Sequence, residues 1–267
     1  MKTEELFSLA GRVAVVTGAS GGLGWDIACS LAEAGAGVII TSRLPDKAMG
    51  SAKKLRTLHG GDALGVELDQ RDHASVVRMC AAALAWKGRI DILVNNAGGG
   101  SGASDGDLFS RPVEVIREMV ETNLLGVLYC CREIGRHMRD RRSGRIVNIA
   151  SIAGEIGRDR KHYHDTGVNE QPVEYAASKS GVVGLTRDLA AKLAPYGVTV
   201  NAISPGGFDK GLLPKGFVDA YAQKTAIGRM GELNADIKGV ALLLCSDASR
   251  YITGQNYIVD GGFTIWK

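Results

Sequence analysis

Seven short apolar runs rich in valine and isoleucine recur at residues 12–17, 37–42, 63–68, 90–95, 145–150, 198–203 and 255–260. Runs such as "RVAVVT" and "IDILVN" are apolar almost throughout, which suits strands covered on both faces. Between them lie longer stretches with helical spacing, near 23–35, 46–59, 72–87, 112–139, 174–194 and 233–246. Strand and helix therefore alternate. The pattern predicts an α/β fold: a Rossmann-type doubly wound parallel sheet of about seven strands, with helices on both faces. No Pro/Gly-rich linker and no internal repeat interrupts it, so 1–267 reads as a single domain with room for a well-buried core. Two segments break the rhythm. Residues 154–173 are polar with neither period, and residues 205–231 mix Gly and Pro with a short apolar helical pattern. Both follow strands at their carboxyl ends, where ligands bind in this architecture, so the first is expected as a long active-site loop and the second as a substrate lid.

Glycine makes up 36 of 267 residues, nearly twice the usual ~7%, and without a collagen-like period these should mark tight turns and close approaches. The first dense group, "VVTGASGGLGWDIA" (15–28), runs from a strand into an amphipathic helix. Gly18, Gly22 and Gly24 there let backbone N–H groups approach a pyrophosphate at the helix N-terminus, with Ser20 and Leu23 as further candidate contacts. An acidic residue about 20 positions past such glycines would hold the ribose hydroxyls. Arg43 lies 19 positions past Gly24, beside Ser42, and a cation there suits a 2′-phosphate. The expected cofactor is NADP(H). Asp46 nearby keeps an NAD-linked reading open.

The net charge of +3 points to neither nucleic acid nor membrane partners. The basic cluster "HMRDRRSGR" (137–145) reads as a helix C-terminus complementing its dipole. The opening apolar run, Val13 to Val16, is too short for a signal peptide, and no stretch approaches ~18 apolar residues. The five cysteines form no C-x-x-C pair, which fits reduced thiols in a cytoplasmic protein. No metal is expected: His162 and His164 form only a lone H-x-H, which reads as a solvated loop.

"EYAASK" (174–179) places Tyr175 and Lys179 one helical turn apart on one face. Alone, that spacing fits a core aromatic beside a snorkelling lysine equally well. The set "TGASGGLG" (17–24), "NNAG" (95–98), Asn123 in "VETNLLG", Ser151 in "IVNIASIAG" and "YAASK" resembles, in this order, the short-chain dehydrogenase/reductase family. "NAISPGG" (201–207) and "DGGF" (260–263) extend the likeness over nearly the whole chain. The closing stretch is similar to the gluconate 5-dehydrogenase and 3-oxoacyl-carrier-protein reductase branch. The resemblance implies Tyr175 as acid/base, Lys179 as the ammonium that lowers its pKa and bonds the nicotinamide ribose, Ser151 as the substrate-oxygen ligand, and Asn123 as holder of a relay water. It also implies cofactor contacts from Asp69, Gln70, Asn95, Ala97, Gly98, Pro205, Gly206 and Phe208. For Asn95 and Asn123 a purely structural role fits nearly as well. Helices 112–139 and 175–194 would pack a homotetramer.

The implied activity is hydride transfer between NADP(H) and a small-molecule carbonyl or secondary alcohol. An NAD-linked sugar-acid or polyol dehydrogenase is the alternative, and a catalytically silent nucleotide sensor is the reading of another class. Two departures bear on the substrate. Ser151 and Tyr175 are 24 residues apart, much more than in most of the family, and Lys210 stands where the family pattern has threonine. Lys210 and Lys215 are candidates for favouring an anionic substrate.

Overall fold

The computed structural model describes residues 2–99 and 107–265. Its main sheet contains β1 (Val13–Val16), β2 (Gly37–Ser42), β3 (Ala63–Glu67), β4 (Ile92–Asn95), β5 (Gly144–Ile149), β6 (Val198–Pro205) and, after two short strands β7 (Phe208–Asp209) and β8 (Gly231–Glu232), β9 (Asn256–Val259). All seven run parallel in the order β3-β2-β1-β4-β5-β6-β9. Val15 is in register with Ile39 on one side and Leu93 on the other. The chain winds outward from β1 through β2 and β3, then returns to place β4 on the opposite side. That reversal opens a crevice at the carboxyl ends of β1 and β4.

Alternation along β1 feeds two cores. Ala14 and Val16 pack with Ile27, Leu31, Ile40 and Leu244 on one face. Val13 and Val15 pack with Ile39, Leu93, Ile134 and Val182 on the other. The covering helices are α2 (Gly22–Glu33), α3 (Pro45–His59), α4 (His73–Lys87), α5 (Val113–Val120), α6 (Gly126–Arg141), α8 (Val173–Leu193) and α10 (Lys238–Cys245), with α1 (Thr3–Phe7), α7 (Arg160–Thr166) and α9 (Lys215–Ala222) outside this rhythm. Local chemistry sets their ends. The Asp72 side chain accepts from the Ala74 and Ser75 N–H groups to start α4, and Gly60 and Gly88 end α3 and α4 with φ of +70°, as left-handed C-terminal glycines do.

Four expectations are corrected. The single helix over 112–139 is interrupted: a five-residue π-helical turn, Glu121–Leu125, separates α5 from α6 and carries the buried Asn123. Residues 154–173 include a helix, α7, started by the Asp159 carboxylate accepting from His162 N–H and ended by Gly167 at φ +66°. Seven residues are too few to show a period. Residues 205–231 supply the paired strands β7 and β8 besides α9. Finally, α10 starts at Lys238, because Asn234 takes a left-handed φ of +65° just before it.

Strand β3 and helix α3 touch through a glycine. A Cβ on Gly65 would stand 2.4 Å from the Ala48 carbonyl carbon and 2.5 Å from its oxygen, whereas one on the exposed Gly50 of α3 would meet nothing within 4 Å. Gly65→Ala is therefore expected to lose about 1–3 kcal/mol through overpacking. Gly50→Ala is expected to gain up to about 1 kcal/mol. Urea denaturation midpoints check this, and the reverse order would overturn the packing described.

Candidate active site

A cavity of about 510 Å³ opens at the carboxyl end of the sheet, in the range of small-molecule sites. Its floor at one end is the glycine turn between β1 and α2. Gly18 has φ +62°, and a Cβ there would stand 2.8 Å from the Ala97 Cα. On Gly24 a Cβ would meet Asn96 Nδ2 at 2.3 Å and Gly18 O at 2.9 Å. Only glycine fits either place. Gly21 precedes α2 without any side-chain cap, leaving the helix's first N–H groups to face a ligand. Asn96 Nδ2 donates to Thr17 O (2.9 Å) and Gly18 O (3.2 Å), pinning the turn to the end of β4. The residues thus fit a dinucleotide: a side-chain-free cradle at a helix N-terminus, held rigid from the adjacent strand.

Further along the same cavity stand Ser151, Tyr175 and Lys179. Ser151 follows β5, and its hydroxyl oxygen accepts from Ala153 N–H at 3.1 Å. Tyr175 lies in the first turn of α8 and shares a hydrogen bond with the Ser151 side chain. Gly154 sets this proximity, since a Cβ there would stand 2.8 Å from Ser180 N and 2.9 Å from the Lys179 carbonyl carbon. Lys179 is 3% exposed and donates to Ile149 O at 2.7 Å. Its Nζ stands 5.7 Å from the Tyr175 ring centroid. Beside Tyr175, the Glu174 carboxylate forms an almost wholly buried ion pair with Arg111, 2.5 Å between Nε and Oε1.

The electrostatics differ from the sequence expectation that Lys179 lowers the Tyr175 pKa. Burial raises the phenol above its ordinary value, and the lowering comes from the Ser151 hydrogen bond and the Arg158 charge. Burial alone pushes the Lys179 ammonium down to about 8. A desolvated phenol hydrogen-bonded to a hydroxyl, above a buried ammonium, can exchange a proton with an oxygen placed in the cavity.

Of the sequence-predicted residues, Gly18, Gly22, Leu23, Gly24, Gly98, Pro205, Gly206 and Phe208 line the cavity with the Ser151–Tyr175–Lys179 set. Others serve its walls. Asn123 Oδ1 accepts from Gly99 N–H at 2.9 Å, and its Nδ2 donates to Met119 O at 3.0 Å. Gln70 Nε2 donates to Ala97 O (2.9 Å) and Thr122 O (2.6 Å), so its amide holds backbone. Asn95 Nδ2 donates to Asn148 Oδ1 (2.8 Å), and Asn148 Nδ2 to Thr186 Oγ1 (3.0 Å), a buried chain from β4 through β5 to α8. The Asp69 carboxylate is engaged by Arg71, 2.8 Å from Nη2, which holds it below the usual carboxylate range. Ser20 and Arg43 are exposed and do not line the cavity, and Ser42 Oγ accepts from Leu44 N–H at 3.2 Å. Lys210 lines the cavity beside the glycine turn, where a Cβ on Gly22 would lie 3.9 Å from its Nζ. Lys215 instead pairs with Asp219 at 2.5 Å on the surface.

Sequence reasoning placed the far wall in residues 154–173 and 205–231 but missed which side chains build it. His162, expected in a solvated loop, is buried on α7 with its ring 4.4 Å from that of Phe217. Its Nε2 has no hydrogen-bond partner among the described residues, and burial holds the imidazole below its ordinary pKa. Tyr221 stacks on Phe263 at 4.6 Å and its phenol oxygen accepts from Gly207 N–H at 2.6 Å. The spacing of Phe217 and Tyr221, one helical turn apart in "FVDAYA", was the available signal.

Residues 18–264 match the family model described as enoyl-(acyl carrier protein) reductase. The chain is a short-chain dehydrogenase/reductase. Like its family it is an oxidoreductase built on this Rossmann-type sheet. It is 37% identical over 262 residues, covering 96% of this chain and 98% of the relative, to a cis-4-hydroxycyclohexanecarboxylate dehydrogenase of Sinomonas cyclohexanicum. It is 33% identical to an NADP-dependent mannitol dehydrogenase of Aureobasidium melanogenum, covering 98% of this chain and 96% of that one. Among solved structures it resembles a gluconate 5-dehydrogenase of Burkholderia cenocepacia J2315 in complex with NADP and tartrate, with a TM-score of 0.88, 34% identity and coverage of 98% and 99%.

The desolvated lysine of this short-chain dehydrogenase/reductase has a measurable signature. Its folded pKa of about 8 lies below the ~10.4 of an unfolded lysine. Between those values the unfolded chain binds more protons, so this group makes stability rise with pH. Lys179→Met removes that contribution. The stability of the variant relative to wild type should be greatest near pH 7 and fall by up to roughly 3 kcal/mol by pH 10.4. Calorimetry of both proteins across this range checks it; a constant difference would mean that Lys179 is not desolvated.

Proposed function

We propose that this enzyme interconverts a ketone and a secondary alcohol with NADP(H), Tyr175 acting as general acid in reduction and general base in oxidation. The observation that carries the proposal is the Ser151–Tyr175 hydrogen bond over a buried Lys179, in the same cavity as the glycine cradle. When bound, the nicotinamide supplies or receives the hydride. The chain does the rest. Gly18, Gly22 and Gly24 admit the pyrophosphate to the N-terminus of α2. Ser151 donates a hydrogen bond to the substrate oxygen and stabilises the charge that develops there. Tyr175 gives its proton to that oxygen, or takes it in the reverse direction. The raised pKa of Tyr175 keeps the phenol protonated for reduction, and the Ser151 hydrogen bond and the Arg158 charge favour the phenolate left behind. Asn123, held by the π-helical turn, orients a water that restores the proton through Lys179.

Arg43 supports NADP(H) over NAD(H), since its guanidinium stands exposed after β2 with no acidic residue in place of the ribose acceptor. The NADP named with the mannitol dehydrogenase and the gluconate 5-dehydrogenase accords with this. The same reading makes the protein a cytoplasmic homotetramer packed through α6 and α8, where Leu128, Leu185 and Leu189 line a shallow cleft.

Tyr175→Phe is expected to lower kcat by roughly 10²–10⁴-fold while NADPH binding, read by fluorescence titration, stays nearly unchanged. A variant keeping most of its turnover would remove the assigned role. Arg43→Asp should shift the ratio of NADPH to NADH affinity towards NADH by roughly tenfold or more. An unchanged ratio would favour the NAD-linked alternative.

A further inference from the structure

We propose that Arg158 is the carboxylate anchor of the substrate pocket, and that the substrate is a ketone or secondary alcohol bearing a carboxylate on an apolar body. The inference rests on the reading of Tyr175 as the proton-transfer residue. Arg158 comes from the long segment between Ser151 and Tyr175 and lines the same cavity as both.

Its guanidinium is fixed by neutral partners. Nη1 donates to Gln171 Oε1 at 3.2 Å and Nη2 to Pro172 O at 2.9 Å. The acidic side chains of its own segment are already committed: Asp159 to Lys224, Glu170 to Arg160 at 2.7 Å, and Glu155 to Asn256 at 2.8 Å. Among the described residues no carboxylate forms an ion pair with Arg158. Half burial lowers its pKa, yet a guanidinium remains charged. The cavity therefore carries a partly desolvated cation, oriented by two hydrogen bonds and, among the described residues, without an ion-pair partner, the Glu170 charge acting on it only from a distance. A carboxylate is the ligand that a guanidinium fork matches best.

The remaining wall argues for the body of the molecule. Tyr163, Phe217, Tyr221 and Phe263 present rings to the cavity. Four rings on one side of the cavity favour packing against an apolar body. His162, Asn169 and Gln171 add neutral polar groups to that wall, so charge recognition falls to Arg158. Lys179 lies under Tyr175, Lys210 stands beside the glycine turn and Lys224 is paired, so none of them competes for the role.

The test compares isosteres that differ in charge. Reduction of 4-oxocyclohexanecarboxylate, 4-oxocyclohexanecarboxamide and cyclohexanone is followed with NADPH and with NADH, for wild type, Arg158→Gln and Arg158→Lys. Binding of cyclohexanecarboxylate and its amide to the cofactor-loaded proteins is measured in parallel by calorimetry. Wild type should prefer the acid over the amide by roughly tenfold or more in kcat/KM and in affinity. Arg158→Gln should erase that preference by raising KM for the acid relative to the amide, with the ratio of their kcat values and cofactor affinity unchanged, since loss of the charge near Tyr175 falls on both substrates alike. Arg158→Lys should keep part of it. Equal use and binding of acid and amide by wild type would overturn the proposal, as would an Arg158→Gln rise in KM that falls equally on both. Turnover of none of the three ketones, with carboxylate binding still dependent on Arg158, would count against the catalytic reading and uphold the anchor.

Discussion

The active end of this molecule depends on how closely the segment after β5 lies against α8. Gly154 permits that contact, because any side chain there would strike the backbone at Lys179 and Ser180. Ser180 Oγ seals it by donating to Gly154 O at 2.7 Å, and Lys179 adds the bond to Ile149 O. Ser151, Tyr175 and Lys179, separated by up to 28 positions in the chain, acquire their mutual geometry from this one junction. The buried Asn95–Asn148–Thr186 chain supports it from beneath. Satisfied polar groups of this kind specify a single arrangement where apolar packing would tolerate several.

Desolvation then sets the chemistry. Around the junction the phenol is pushed up and the ammonium down, so each group is made less willing to carry charge in the bare cavity. Such poising suits a site whose charges develop only when reacting atoms arrive. The same logic separates the two ends of the cavity. The cradle end is built of glycines, with Lys210 beside them, whereas the far end brings together rings, the His162 imidazole and the Arg158 guanidinium.

How much of this was legible in the sequence follows from the range of the interactions. All seven main strands were readable: the inner ones because an apolar run reports two-sided burial locally, and the half-buried edge strands β3 and β9 because they keep enough apolar residues between their helices. The glycine turn was readable for the same reason: positive φ and close approach restrict a few adjacent positions to glycine. The π-helical turn at Asn123 was not, since "VETNLLG" keeps helical composition through the insertion. The burial of His162 was not readable either. It depends on Phe217, more than 50 residues away, and α7 is too short to announce itself by period. The direction of the Tyr175 shift was inferred from its neighbour in the helix. It is governed instead by enclosure, which no local spacing records.

The Arg111–Glu174 pair carries a last consequence. Its two charges are almost fully withdrawn from water and meet immediately before Tyr175. Removing one would strand the other at a cost of about 3–5 kcal/mol, whereas replacing both with apolar groups of matching volume can be nearly neutral. Positions 111 and 174 are therefore locked to each other across sequence space. Single steps away from the pair lead through proteins whose α8 is loosened at its first turn, and only a concerted double change reaches the other side. The segment ahead of α5 and the residue beside Tyr175 must drift together or not at all.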